Sequence, residues 1–204
     1  SRRHGYPFNR VNRAFGLRLV PHLSQLESAV PASSSTAPAS ISPSTGTPTY
    51  TIGSRGPAGG YVFYDKGSYS DGWRYLEVAP SDQSYEIKWN EGKGLEIRTS
   101  TVIGTGKTNT IAIIEAYGTG NYAASLCEKY SFGGYDDWFL PSKDELDLIY
   151  INLKKIGLGG LARWKYWSSS QYNWGLAWRQ DFSNGDQSQD GRTSYNLVRA
   201  CRAF

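Results

Sequence analysis

The chain has no methionine, two cysteines, two histidines and, over residues 30–49, no charged side chain at all. Each shortage excludes something. His4 and His22 both fall in the first 29 residues, so the rest of the chain has no imidazole to act as general base for a serine or cysteine nucleophile. No apolar run approaches the roughly 20 residues that a membrane-spanning helix needs. Gly104-Thr105-Gly106-Lys107-Thr108 invites a phosphate-loop reading, but the motif requires a glycine five positions before Gly106, and Thr101 stands there. That stretch reads instead as a turn leading into a helix cap. Asp136-Asp137 offers two carboxylates, yet adjacent side chains diverge and no third ligand is spaced for calcium. Asn184, Asp186 and Asp190 are the remaining oxygen donors for a weak site. No catalytic residue, metal or cofactor is expected.

What is abundant is aromatic: 15 Tyr and 7 Trp among 204 residues, with 20% of residues charged and 39% hydrophobic. Tyr and Trp give large, rigid contact area with a polar handle, suited equally to a recognition surface and to an irregular core. The net charge of +4 is unevenly placed. Arg2, Arg3, Arg10, Arg13 and Arg18 precede the first acid, Glu27, whereas charge nearly balances from Tyr50 onward. No nucleic-acid motif accompanies the basic stretch, and nucleic acid is not an expected partner.

Composition divides the chain into three zones. Residues 1–29 are basic and too short to bury a core. Residues 30–49 are a Ser/Pro/Thr tract with nothing to bury, which reads as a linker. Residues 50–204 form the folded domain. Within it, Gly59–Tyr64 and Trp73–Ala79 read as strands paired through Lys66–Gly72. The polar, Gly-rich residues 80–107 carry no clear pattern. Asn109–Tyr117 and Asn121–Tyr130 read as helices, the second with Ala123, Leu126, Cys127 and Tyr130 on one face. Ser142 and Glu145 have capping-box spacing ahead of a stripe of Leu146, Ile149, Tyr150, Leu153 and Ile156. Lys165–Ser169, Leu176–Phe182, Gly191–Tyr195 and Leu197–Phe204 follow as strands, with Asn184-Gly185 as a hairpin turn. Strands, helices and strands in that order predict an α+β fold with a twisted antiparallel sheet and two main helices.

The run Gly133-Gly134-Tyr135-Asp136-Asp137-Trp138-Phe139-Leu140-Pro141-Ser142, with Tyr166-Trp167-Ser168-Ser169-Ser170, Ala177-Trp178 and Val198-Arg199-Ala200-Cys201-Arg202, resembles the DUF1566 family. That family includes the C-terminal domain of the Legionella collagen-like adhesin. The opening Gly56–Asp65 and Gly72–Glu77 looks like members from Treponema, so the resemblance extends over 50–204. It implies a C-type-lectin-like fold, related to formylglycine-generating-enzyme-like domains, exported to a bacterial surface. It also implies variable surface loops, in some relatives diversified by retroelements. In such folds a disulfide commonly joins the first helix to the last strand, which assigns a bond to Cys127 and Cys201; two buried free thiols are the alternative. The paired active-site thiols of the formylglycine-generating oxidases have no match here. Asn12–Val20 is similar to the last strand of a formylglycine-generating-enzyme-like domain, so residues 1–29 read either as the end of an upstream lectin-like module or as a basic tail.

One region remains for ligand binding. Gln171, Tyr172, Asn173 and Trp174 form a polar-aromatic loop. Along the following strand, alternation puts Trp178 and Phe182 in the core and Arg179 and Asp181 on the other face. Arg179, Asp181, Asp186, Gln187, Gln189, Arg192 and Tyr195 are then expected to face outward beside the loop. This composition suits a binding surface. The expected partner is a glycan, a glycosaminoglycan or a protein; a structural or assembly module of a larger envelope protein is the alternative, with an oxidase or hydrolase ranked last.

Overall fold

A computed structural model of the chain describes residues 48–92 and 94–204. The basic segment 1–29, both histidines and all of the linker except Pro48 and Thr49 lie outside the described residues. The fold is mixed α+β. In chain order it runs β1 (Tyr61–Ser70), β2 (Trp73–Val78), β3 (Ser84–Lys88), α1 (Gly106–Tyr117), α2 (Ala123–Glu128) and α3 (Lys143–Asn152). A 3-10 turn (Lys154–Ile156) precedes β4 (Lys165–Gln171), β5 (Leu176–Asp181), β6 (Gln187–Gly191), β7 (Tyr195–Val198) and β8 (Cys201–Ala203).

There are two sheets where one was expected, ordered β1-β2-β8 and β3-β7-β4-β5-β6. All pairings are antiparallel except β4 with β7, which is parallel through Tyr166 and Leu197. The β1–β2 hairpin is tighter than composition suggested. β1 runs on to Ser70, which pairs with Trp73, and the loop is only Asp71-Gly72, both at positive φ. That is the backbone demand an Asp-Gly hairpin turn meets. Gly191–Tyr195, read as a strand, contains the turn between β6 and β7. Leu197–Phe204, read as one strand, breaks at Arg199-Ala200 as the chain passes from one sheet to the other.

The break has a cause. The Arg199 side chain is buried, and its guanidinium donates to Asp82 Oδ1 at 2.6 Å and to the carbonyls of Ala79, Gly159 and Gly160. Arg202, three residues on, pairs with Glu77 at 2.8 Å and makes a two-pronged contact with Asp137. Asp137 is therefore half of a structural ion pair. Buried cations of this kind need fixed partners, and a planar guanidinium fits carbonyls and carboxylates in a fork.

Two apolar clusters hold the layers together. One gathers Trp89, Trp138, Trp167 and Cys127 with Ile113, Ala123 and Ala177; the other gathers Phe63, Leu76, Leu146, Ile149, Leu153, Tyr166, Phe182 and Cys201. Each buried indole N–H donates to a carbonyl: Trp89 to Ser168, Trp167 to Ile87 and Trp138 to Tyr135. Of the stripe assigned to α3, Leu146, Ile149 and Leu153 are buried, but Ile156 falls in the 3-10 turn and is 63% exposed.

The capping box at Ser142 is formed, and its glutamate does more than close one helix. The fully buried Glu145 accepts from Ser142 N at 2.7 Å and from Gly104 N at 2.7 Å, with Gly106 N at 3.4 Å. The carboxylate thus occupies the place an anion would take at the start of α1, which closes the phosphate-loop reading on structural grounds. Burial raises its pKa, against the backbone donors from Ser142, Gly104 and Gly106, which lower it.

The implied Cys127–Cys201 bond is not formed. Both residues are free thiols, fully buried, and each packs in a different apolar cluster. Burial pushes both thiols up from the usual range, and at Cys201 Glu145 and Cys127 also oppose ionisation. They behave as small core hydrophobes.

Two outcomes follow. Glu145→Ala strands two or three backbone donors and should lower stability by about 2–4 kcal/mol in urea unfolding, against less than about 0.5 kcal/mol for the exposed Glu115→Ala. A thiol reagent at pH 8 should label neither cysteine in the native protein and both in denaturant, because the thiolate is scarce and inaccessible; labelling of native Cys201 would contradict the packing.

Candidate functional site

The β4–β5 loop is fixed by its own side chains. Asn173 Oδ1 accepts from the amides of Gly175 and Leu176, both at 2.9 Å, and Leu176 O accepts from those of Tyr172 and Asn173. Gln171, at the end of β4, clamps the loop to the 95–99 segment. Its Oε1 accepts from Ile97 N at 2.8 Å, its Nε2 donates to Asn173 O at 2.7 Å, and its amide donates to Thr99 Oγ1 at 2.8 Å. On this frame Tyr172 is 54% exposed and Trp174 68% exposed. Tyr172 stands edge-on to Trp178 at 5.5 Å. The Trp174 indole makes no hydrogen bond or ring stack among the described residues, and Gly94 lies close to its ring.

Loop residues line two depressions, and Tyr195 lines a third. A cleft of about 600 Å³ lies between Glu96–Thr99 and Gln171–Asn173. A second, of about 180 Å³, has Gly92, Gly94 and Gly175 in its lining with Trp174, Asn90, Arg192 and Thr193. A third, of about 240 Å³, lies between Glu86–Glu91 and Tyr195. All three border the segment 86–99. That segment contributes to each cleft, and sequence patterning had left it without an assignment. Its glycines and its mixed charges, Glu86, Lys88, Glu91, Lys93, Glu96 and Arg98, are the hints the sequence holds.

The structure brings together part of the expected set. Gln171, Tyr172, Asn173 and Trp174 form the loop, and Tyr195, 59% exposed beneath Lys88, belongs to the third cleft. Arg192 is close by but not outward-facing. It is 3% exposed and donates to Leu95 O and Tyr117 Oη, with its guanidinium over the Trp89 ring. It supports the 90–99 segment from within.

The remaining residues scatter. Arg179 and Asp190 face each other at 3.8 Å on one side of the sheet, and the Arg179 side chain is only 16% exposed. Gln187 and Gln189 lie on the other side, opposite Gln180 and Trp178, and Gln187 donates to Lys143 O at the start of α3. Asp181 accepts from the amide and hydroxyl of Ser183, which hold its carboxyl below the usual range, and Asp186 is bonded to Asn184; both are at the far end of β5 from Trp174. Asp186 and Asp190 flank opposite ends of β6, so the oxygen donors of the weak calcium site do not converge. Among the described residues no group of three or more His, Cys, Asp or Glu is placed to hold a metal. Trp178, assigned to the core, is half-buried between Tyr172 and the Lys143 ammonium.

Fold and geometry therefore define a small α+β domain that exposes Tyr172 and Trp174 on the β4–β5 loop of a five-stranded sheet. The chain belongs to the Lcl C-terminal domain family, which matches residues 79–202. The match begins after β2 and so covers less than the 50–204 span that the sequence motifs suggested, although β2 pairs directly with β8. No curated protein matches the chain. No helix among the described residues is long and apolar enough to cross a membrane.

Proposed function

We propose that residues 50–204 are a non-catalytic, C-type-lectin-like recognition domain of an exported bacterial surface protein, tethered through the linker 30–49. It reads a glycan, glycosaminoglycan or protein with the loop end of its larger sheet. The observation that carries this is Trp174: a mostly exposed indole with no polar or ring partner among the described residues, on a loop locked by Asn173 and Gln171, between two clefts. An exposed ring on a rigid loop gives nothing to the core, and rigidity lowers the entropic cost of binding. Membership in a family named for the C-terminal domain of Lcl supports a surface-protein setting. A structural or assembly module is the second reading. It is favoured by an apolar depression of about 390 Å³ walled by Tyr50, Tyr69, Tyr75 and Phe204.

The test is binding of the full chain to glycan and matrix-protein arrays, with Tyr172→Ala and Trp174→Ala beside the parent. A ligand of the loop face should lose at least ~10-fold in affinity with Trp174→Ala, the scale of one buried aromatic anchor. Binding unchanged by both substitutions would remove the loop from the site. Self-association without any array signal would favour the assembly reading.

A further inference from the structure

A separate depression, of about 410 Å³, lies where the end of α3 meets the turn after β5, lined by Tyr150, Lys154, Lys155, Arg163, Phe182 and Ser183. Three of these six side chains are cationic and none is anionic. Lys155 and Arg163 are exposed and have no hydrogen-bond or ion-pair partner among the described residues. Lys154 is half-buried and gives one N–H to Leu161 O. Burial, then the nearby Arg163 cation, hold its ammonium below the usual lysine range.

The nearby acids are committed elsewhere: Asp147 accepts from Gln180 Nε2 and Asp186 from Asn184 Nδ2. Asp82, which pulls weakly on Lys154, is buried and committed to Arg199 and the Tyr166 hydroxyl. Asp181 at the rim is held by Ser183. The Tyr150 hydroxyl has no hydrogen-bond partner among the described residues, and its ring is set edge-on to Phe182 at 5.4 Å. Cations held against one another in a concave, partly apolar setting cost stability, and a bound anion relieves that cost.

We propose that this depression binds a phosphate monoester, with Lys154, Lys155 and Arg163 supplying the charge and the Tyr150 hydroxyl a neutral donor. A monoester carries about −1.5 to −2 at pH 7 and presents three acceptor oxygens. Three cations match it better than they match the single charge of a sulfate ester, and a guanidinium can grip two of its oxygens at once. The openness of the depression leaves room for the group that carries the phosphate, whether a free sugar phosphate or a lipid headgroup.

The experiment titrates the full chain at constant ionic strength with glucose 6-phosphate, glucose 6-sulfate and glucose, and with phosphatidic acid vesicles against phosphatidylcholine vesicles. Glucose 6-phosphate should bind at least ~10-fold more tightly than the sulfate, with glucose silent. The phosphate signal should weaken between pH 7.5 and 5.5 as the ester takes up a proton near pH ~6, while the sulfate signal stays constant. Lys155→Gln with Arg163→Gln, both exposed, should abolish binding without lowering the melting temperature, and Trp174→Ala should leave it intact, which separates this site from the loop face. Vesicle capture lost in the same double variant would assign the lipid source; binding of the soluble ester alone would assign the free one. Equal responses to phosphate and sulfate, binding that survives the double variant, or no response to the ester or the vesicles would each overturn the proposal.

Discussion

The Glu145 carboxylate sits where the first turns of α1 and α3 approach each other, accepting from Ser142 and Gly104 with Gly106 just beyond. The positioning of the loop end propagates from that point. Gly104 ends a stretch whose Ser100 carbonyl accepts from the Asn109 amide and the Ser170 hydroxyl, and Ser170 Oγ in turn accepts from Lys143 N. Asn109 also donates to Ser169. One residue further on, Thr99 receives the amide of Gln171, whose side chain holds Ile97 and Asn173. A continuous set of satisfied polar contacts thus joins a helix cap to the loop carrying Trp174. Such networks specify one arrangement because each unpaired member would cost the full desolvation of its group.

This economy accounts for the small number of polar side chains free to do chemistry. The buried arginines are structural: Arg199 stops one strand and redirects the chain, Arg202 ties β8 to Asp137 and Glu77, and Arg192 braces Leu95 and Tyr117. Among the described residues, the Trp174 indole at one end of β5 and the Lys155 and Arg163 cations beyond the other are exposed and without a hydrogen-bond partner.

Local features were legible in the sequence because their physics is local. The Ser142–Glu145 capping box, the apolar stripe through Leu146, Ile149 and Leu153, and the Gln171–Trp174 loop all depend on residues a few positions apart. The illegible parts depend on distant partners. Arg192 looked exposed because its acceptors lie 97 and 75 residues away. The 86–99 segment looked featureless because Gln171, 74 residues beyond Ile97, anchors it. Trp178 looked buried by alternation, but the register is irregular between Trp167 and Gln171, and its ring lies beside Tyr172 and the Lys143 ammonium at the start of α3. Cys127 and Cys201 were joined by analogy with related folds, and both are instead free thiols, each packed in its own apolar cluster.

The central claim is that the loop is built rigid before any ligand arrives. Backbone ¹⁵N relaxation of the free protein over residues 171–176 tests it most directly. Order parameters of about 0.85, equal to those of β4, are expected of a loop held by Gln171 and Asn173; values below about 0.6 would contradict a preorganised platform.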